Sequence, residues 1–133
     1  MTGAGRAVQR ALYETLAADA ALMARVTGIF DHVPDRQRLP YITVGEAVET
    51  DWSATEFSGR DHRLSVHAWS AHAGMGEAKD LLALVDAALE HMPENLDGHR
   101  LVSLRFLSSR VFADVEDSIR HGVTEYRART ERV

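Results

Sequence analysis

Apolar residues recur at Val8, Leu12 and Leu16, and Ala7 and Ala11 widen the stripe. Spacings of four put these side chains on one face of a helix, predicted over residues 5–18. Asp19 is a good N-cap for a second short turn at 20–26, which Gly28 stops. Ile29, Phe30 and Val33 suggest a short strand broken by Pro34, and residues 34–40 read as a polar loop. Period-two patterning then takes over. Residues 41–50 form a strand with Ile42 and Val44 on one face and Tyr41 and Thr43 on the other. Residues 62–70 form the next, with Leu64, Val66 and Ala68 inward and His67 and Trp69 opposite. The polar stretch between them, 51–61, reads as a long hairpin connection carrying an exposed Trp52 and Phe57.

Helical spacing returns at Met75, Ala78, Leu82, Val85, Leu89 and Met92, a seam widened by Leu81, Leu84 and Ala88. The opposite face of this helix, 75–91, carries Glu77, Asp80, Asp86 and Glu90 against Lys79, and Pro93 ends it. Residues 95–98 read as a turn. Residues 100–112 read as a strand in which Val102, Leu104 and Phe106 alternate with Arg105 and Leu107. An acidic turn at 114–117, a strand at 119–128 and a frayed tail at 129–133 complete the chain. Two hairpins flanking one central helix predict an α+β fold. Its mostly antiparallel sheet has about five strands, with an N-terminal helix pair and the central helix packed on one face.

Length adds that 133 residues make a single domain, 1–133, able to hide about two thirds of its unfolded surface. The absence of cysteine excludes disulfide scaffolds, thiolate zinc sites and cysteine nucleophiles. A net charge of −5 argues against a DNA-coating role, which needs a basic face. No apolar run approaches the ~20 residues that span a bilayer, and no signal-peptide core opens the chain, so a soluble, intracellular protein is expected. Lys79 is the sole lysine among 15 basic residues. That bias fits a GC-rich genome, and it also fits an interface-rich protein, since arginine's fork suits protein contacts.

Candidate chemistry is thin. His67 and His72, like His62 and His67, are five apart and fall on opposite strand faces, wrong for shared metal ligation. The histidines therefore read as solvated or turn residues. No GxSxG elbow is present, and Ser58 and Ser70 sit in turns. Gly74-Met75-Gly76 before a helix lacks the third glycine and the Lys or Ser/Thr of a phosphate cradle. No catalytic, cofactor-binding or metal-binding residue is assigned. Trp52 and Phe57 stand out, because aromatics in a polar loop are common interface anchors. With Asp51, Glu56 and Arg60 as a polar rim, they form the candidate partner interface.

The order of short motifs resembles the DUF3168 family of phage tail-completion and tail-terminator proteins. Ala11-Leu12-Tyr13 through Leu22 is similar to that family's opening helix pair. Ile29-Phe30-Asp31-His32-Val33-Pro34, then Leu39-Pro40-Tyr41-Ile42 and Gly45-Glu46, resembles its next stretch. Gly59 before His62-Arg63-Leu64, and Val66-His67-Ala68-Trp69-Ser70, resembles the second hairpin arm. Gly76 with Ala78-Lys79, Gly98 to Val102, and Gly122-Val123 with Tyr126-Arg127-Ala128 complete a likeness over roughly 10–128. Members serve siphophage-like tails and gene transfer agents.

The resemblance implies a structural virion protein rather than an enzyme. Such subunits assemble in the bacterial cytoplasm and close into a ring, typically a homohexamer, on the head-proximal end of the tail tube. There the ring stops tube polymerisation and offers the head connector an attachment surface, while DNA passes through the lumen without specific binding. Its partners would be itself, the major tail-tube protein and the head connector or stopper. A head-completion protein of the same particle, or a small-molecule-binding α+β domain, are the alternatives. A head-to-tail ring needs two complementary patches. The acidic helix face and the arginines of the C-terminal hairpin (Arg100, Arg105, Arg110, Arg120, Arg127) offer opposite signs. The 50–61 loop is expected to be poorly ordered in a monomer and to order on a partner.

With neither ligand spacing nor cysteine, protein purified without an affinity tag is expected to hold no stoichiometric zinc or iron. Elemental analysis checks this.

Overall fold

The computed structural model describes residues 2–115 and 118–133. Of the acidic turn expected at 114–117, Glu116 and Asp117 lie outside the described residues. The chain runs α1 (Ala4–Ala17), α2 (Ala20–Met23), β1 (Ile29–Phe30), β2 (Tyr41–Asp51), β3 (Gly59–Ser70), α3 (Gly76–Leu89), β4 (Asn95–Leu96), β5 (His99–Ala113) and β6 (Arg120–Arg132). The strands form one six-stranded sheet in the order β1-β2-β3-β6-β5-β4. All neighbours are antiparallel except β1 and β2. The α+β fold, the N-terminal helices and the central helix are as the periodicity predicts.

The helices bury the apolar stripes that define them. Val8, Leu12 and Leu16 of α1 are buried, and Asp19 caps α2 by accepting from the Leu22 amide at 2.9 Å. Leu81, Leu82, Val85 and Leu89 of α3 meet Leu64, Val66 and Ala68 of β3 and Tyr126 and Ala128 of β6 in one core. Helix and sheet approach closely at Gly122, where an added Cβ would stand 3.0 Å from Leu82 Cδ1. Over the same face the Tyr126 hydroxyl donates to Asp86 Oδ1 at 2.8 Å, and burial pushes the phenol's pKa up. A buried hydroxyl is thereby satisfied at the α3–β6 seam.

Several strand limits differ from the sequence reading. The 51–61 connection shrinks to 52–58, because polar partners continue the ladder through Thr50↔Asp61 and Asp51↔Arg60. Backbone pairing needs no apolar residues, so hydrophobicity under-reports strand ends. The turn at 95–98 contains β4, a sixth strand closed by Asp97-Gly98 with Gly98 at φ 75°. The tail at 129–133 is not frayed. β6 continues to Arg132, Thr130 is buried against His62 (Nε2···Oγ1 2.9 Å), and the Arg132 amide reaches the Ser58 carbonyl at 2.8 Å. In β5 the expected alternation fails, since bulges between Leu101 and Ser103 and between Phe106 and Ser108 reset the faces. Val102 is exposed in the first bulge, while Leu104 and Phe106 still pair with the helix-face residues Ala128 and Tyr126.

Leu82→Ala and Leu89→Ala are each expected to cost about 2–5 kcal/mol, from lost burial plus the cavity left behind. Val85→Ala removes fewer atoms and is expected to cost less. Thermal or denaturant melting reads all three, and wild-type-like melting of both leucine variants would reject the packing.

Candidate interaction surface

The candidate partner residues gather at the β2–β3 turn, ordered by its own hydrogen bonds. The Trp52 amide donates to the Gly59 carbonyl at 2.9 Å, and Ala54 and Phe57 exchange backbone bonds at 3.1 and 3.3 Å. Ser53 Oγ donates to Asp51 Oδ1 at 2.7 Å and accepts from the Gly59 amide at 3.0 Å. The expected poorly ordered loop is thus a closed turn. Trp52 and Phe57 are half-buried and meet edge to face, ring centroids 5.3 Å apart. The Arg129 guanidinium lies 5.0 Å over the Trp52 ring. Gly59 permits this packing, since a Cβ there would strike the Trp52 carbonyl and the Phe57 ring.

Neither aromatic belongs to the main core. They form a satellite with one side against Gly59 and Arg129. Of the polar rim, Asp51 and Glu56 are exposed. Arg60 turns back to pair with Glu49 at 2.7 Å, so the structure separates it from the aromatic pair. Asp61, beside it, is shared by Arg127 (3.4 Å) and Arg129 (3.1 Å).

The helix-free face of the sheet holds a second cluster that the sequence reading missed. Trp69 of β3 lies opposite His121 of β6, and their rings stack at 3.8 Å. His121 also approaches Phe112 (4.9 Å) and His67 (4.9 Å), and His67 Nδ1 sits 2.6 Å from His121 Nε2. Trp69 Nε1 donates to Thr43 Oγ1 at 3.0 Å. His67 and Trp69 were legible as one strand face, but His121 lies 54 residues from its partner, and only the β3–β6 register joins them. Two of the histidines read as solvated are in fact buried. His62 bonds Thr130 as above, and His99 Nε2 lies 2.9 Å from the Thr2 carbonyl. Among the described residues, no three His, Cys, Asp or Glu side chains gather to hold a metal.

Burial holds His62, His67 and His121 below the usual imidazole pKa. His67 and Arg110 also lower His121 against Asp114. Arg110 lowers His67 against Glu46 and Glu125, and Arg60 and His99 lower His62 against Glu49 and Asp61.

The site so defined is a scaffold with half-buried aromatic clusters and exposed charged side chains, and it holds no assembled catalytic group among the described residues. The family model for tail completion protein gp17 matches residues 10–131, and the chain belongs to that family. Tail completion protein gp17 of Bacillus phage SPP1 is 25% identical over 124 residues, covering 93% of this chain and 92% of that protein. A chain in the virion of a native gene transfer agent particle superposes with a TM-score of 0.89 at 31% identity, covering 98% and 99% of the two chains. The structure of bacteriophage SPP1 gp17 matches with a TM-score of 0.67 at 25% identity, covering 94% and 89%. The gp17 relatives are tail completion proteins, and the chain is likewise a structural tail-completion protein, not an enzyme.

The lowered imidazole pKa values fix the sign of a pH dependence. Between the ordinary value of 6.5 and the lower folded values, the unfolded chain binds more protons. The stability these groups confer is therefore complete above 6.5 and is lost as pH falls below it. Tm is expected to drop between pH 7.5 and pH 5, and to drop less in a His67→Gln/His121→Gln variant. Calorimetry at both pH values checks this.

Proposed function

We propose that the chain is a tail terminator in a phage or gene-transfer-agent particle. Its subunits, made in the bacterial cytoplasm, close into a hexameric ring on the head-proximal end of the tail tube. The ring stops tube polymerisation and presents the surface to which the head connector attaches. The observation that carries this reading is the near-complete superposition on a chain of the gene transfer agent virion. That likeness extends over the whole chain, which supports a role in such a particle.

The fold supplies two poles for such a role. The 52–58 turn closes one end of the sheet beside Arg132, and the connection from β5 to β6 closes the other. In this reading Trp52 and Phe57 dock on the tube or a neighbouring subunit, with Asp51 and Glu56 on the rim and Arg60 fixing the turn's flank through Glu49. A net charge of −5 suits a lumen through which DNA slides, because each cationic contact to phosphate would add affinity and slow passage.

Deleting the gene is expected to give tails of uncontrolled length without heads. Tails of normal length that fail only to join heads would instead assign a head-completion role. Trp52→Ala is expected to leave the isolated protein folded while weakening docking by about 2 kcal/mol or more, some thirtyfold per contact. Electron microscopy of tail length and head joining, with native mass spectrometry for a six-subunit species, reads both. Normal tails from the Trp52→Ala protein would remove that residue from the interface.

A further inference from the structure

The two outer edges of the sheet are open over most of their length. β1 covers β2 only at Ile42 and Thr43, and β4 covers β5 only at Arg100 and His99. Among the described residues no strand lies beside 44–51 of β2 or beside 102–113 of β5. The first stretch holds Glu46, Glu49 and Asp51 and no basic residue; the second holds Arg105 and Arg110 and no acidic one. Neither contains Pro or Lys, the usual guards of an open edge. Large apolar side chains are also exposed on both. Val48 is 59% exposed, Phe106 53%, and Val102 and Leu107 38% each.

The strand directions fit pairing between copies. β2, β3, β6 and β5 are successively antiparallel, so a copy set beside another lays its β2 antiparallel to the first copy's β5. The free stretches also share a level. The ladders carry Val44 through Val66 and Thr124 to Ser109, and Asp51 through Arg60 and Thr130 to Leu101. Laid level, the neighbour's β1 would meet the last residues of β5. A slide of about four residues clears it, as the stagger of a closed, tilted sheet requires in any case. That slide keeps the faces matched and sets Val48 beside Arg110.

We infer that these two edges are the halves of one interface: residues 106–113 of β5 in one copy pair antiparallel with residues 44–51 of β2 in the next. The inference rests on the ring reading above and names the surfaces that close it. A ring needs two different surfaces that meet, and the two open edges are such a pair, whereas pairing like edges about a two-fold would stop at a dimer. Head-to-tail pairing of β5 with β2 continues from copy to copy until it closes. Backbone bonds along the edge supply affinity, and the exposed apolar side chains are covered as they form.

The cysteine-free chain makes a direct test possible. Val48→Cys is combined in one chain with Ser108→Cys, Arg110→Cys or Phe112→Cys in turn, three positions on one face of β5. Each protein is first melted to verify its fold and then assembled into particles under oxidation. The expected result is a disulfide ladder reaching the full subunit number for at least one pair, strongest for Val48 with Arg110. Either cysteine alone is expected to give none. If native mass spectrometry of the particles finds the ring while no pair gives a ladder, the edge interface is wrong and the ring reading stands. Dimers from Val48→Cys alone would overturn head-to-tail pairing. Linkage to a different particle protein would assign the edge to that partner instead. Absence of the chain from particles would overturn both readings.

Discussion

The antiparallel ladder between β3 and β6 is the constraint on which the rest of the molecule depends. It runs from Gly59↔Glu131 to Ser70↔Arg120 and joins two hairpins, β2–β3 and β5–β6, that the chain separates by the whole of α3 and β4. Because side chains alternate across a strand, this one register decides both faces together. It sends His62, Leu64, Val66 and Ala68 with Tyr126, Ala128 and Thr130 under the helices. It sends Asp61, His67 and Trp69 with His121, Arg127 and Arg129 to the opposite side. A slip of one residue would bury the arginines and expose the core.

With one face committed to α1 and α3, the molecule keeps its unsatisfied potential at the margins of the sheet. The helix-free face is partly settled by its own stacking, through Trp69, His121 and Phe112. The edges are not. β1 and β4 are two residues each and cover only the ends of the strands beside them. A monomer that ends in long open strands is incomplete as a surface, and that suits a protein of the tail completion gp17 family.

The 52–58 turn expresses the same economy at one pole. Its aromatics are neither core nor disordered. They are held by Gly59, by each other and by Arg129, which keeps them in a fixed geometry at low entropic cost for any partner that covers them. Under the proposed docking role, such a fixed turn is preorganised for its partner.

Much of this was legible in the chain. Helical seams such as Val8-Leu12-Leu16 and Leu82-Val85-Leu89 announce themselves because a helix brings residues three and four apart onto one face. The inward set Leu64, Val66 and Ala68 is equally local, and it fixed the α+β class and the order of the elements. Tertiary structure decided what no local window contains. It extended β6 to bury Thr130 against His62, closed the 52–58 turn, placed bulges in β5, and brought His121 to His67 and Trp69. Local spacing states which face a side chain occupies along its own strand. Only cross-strand register states which side chain, dozens of residues away, it will meet there.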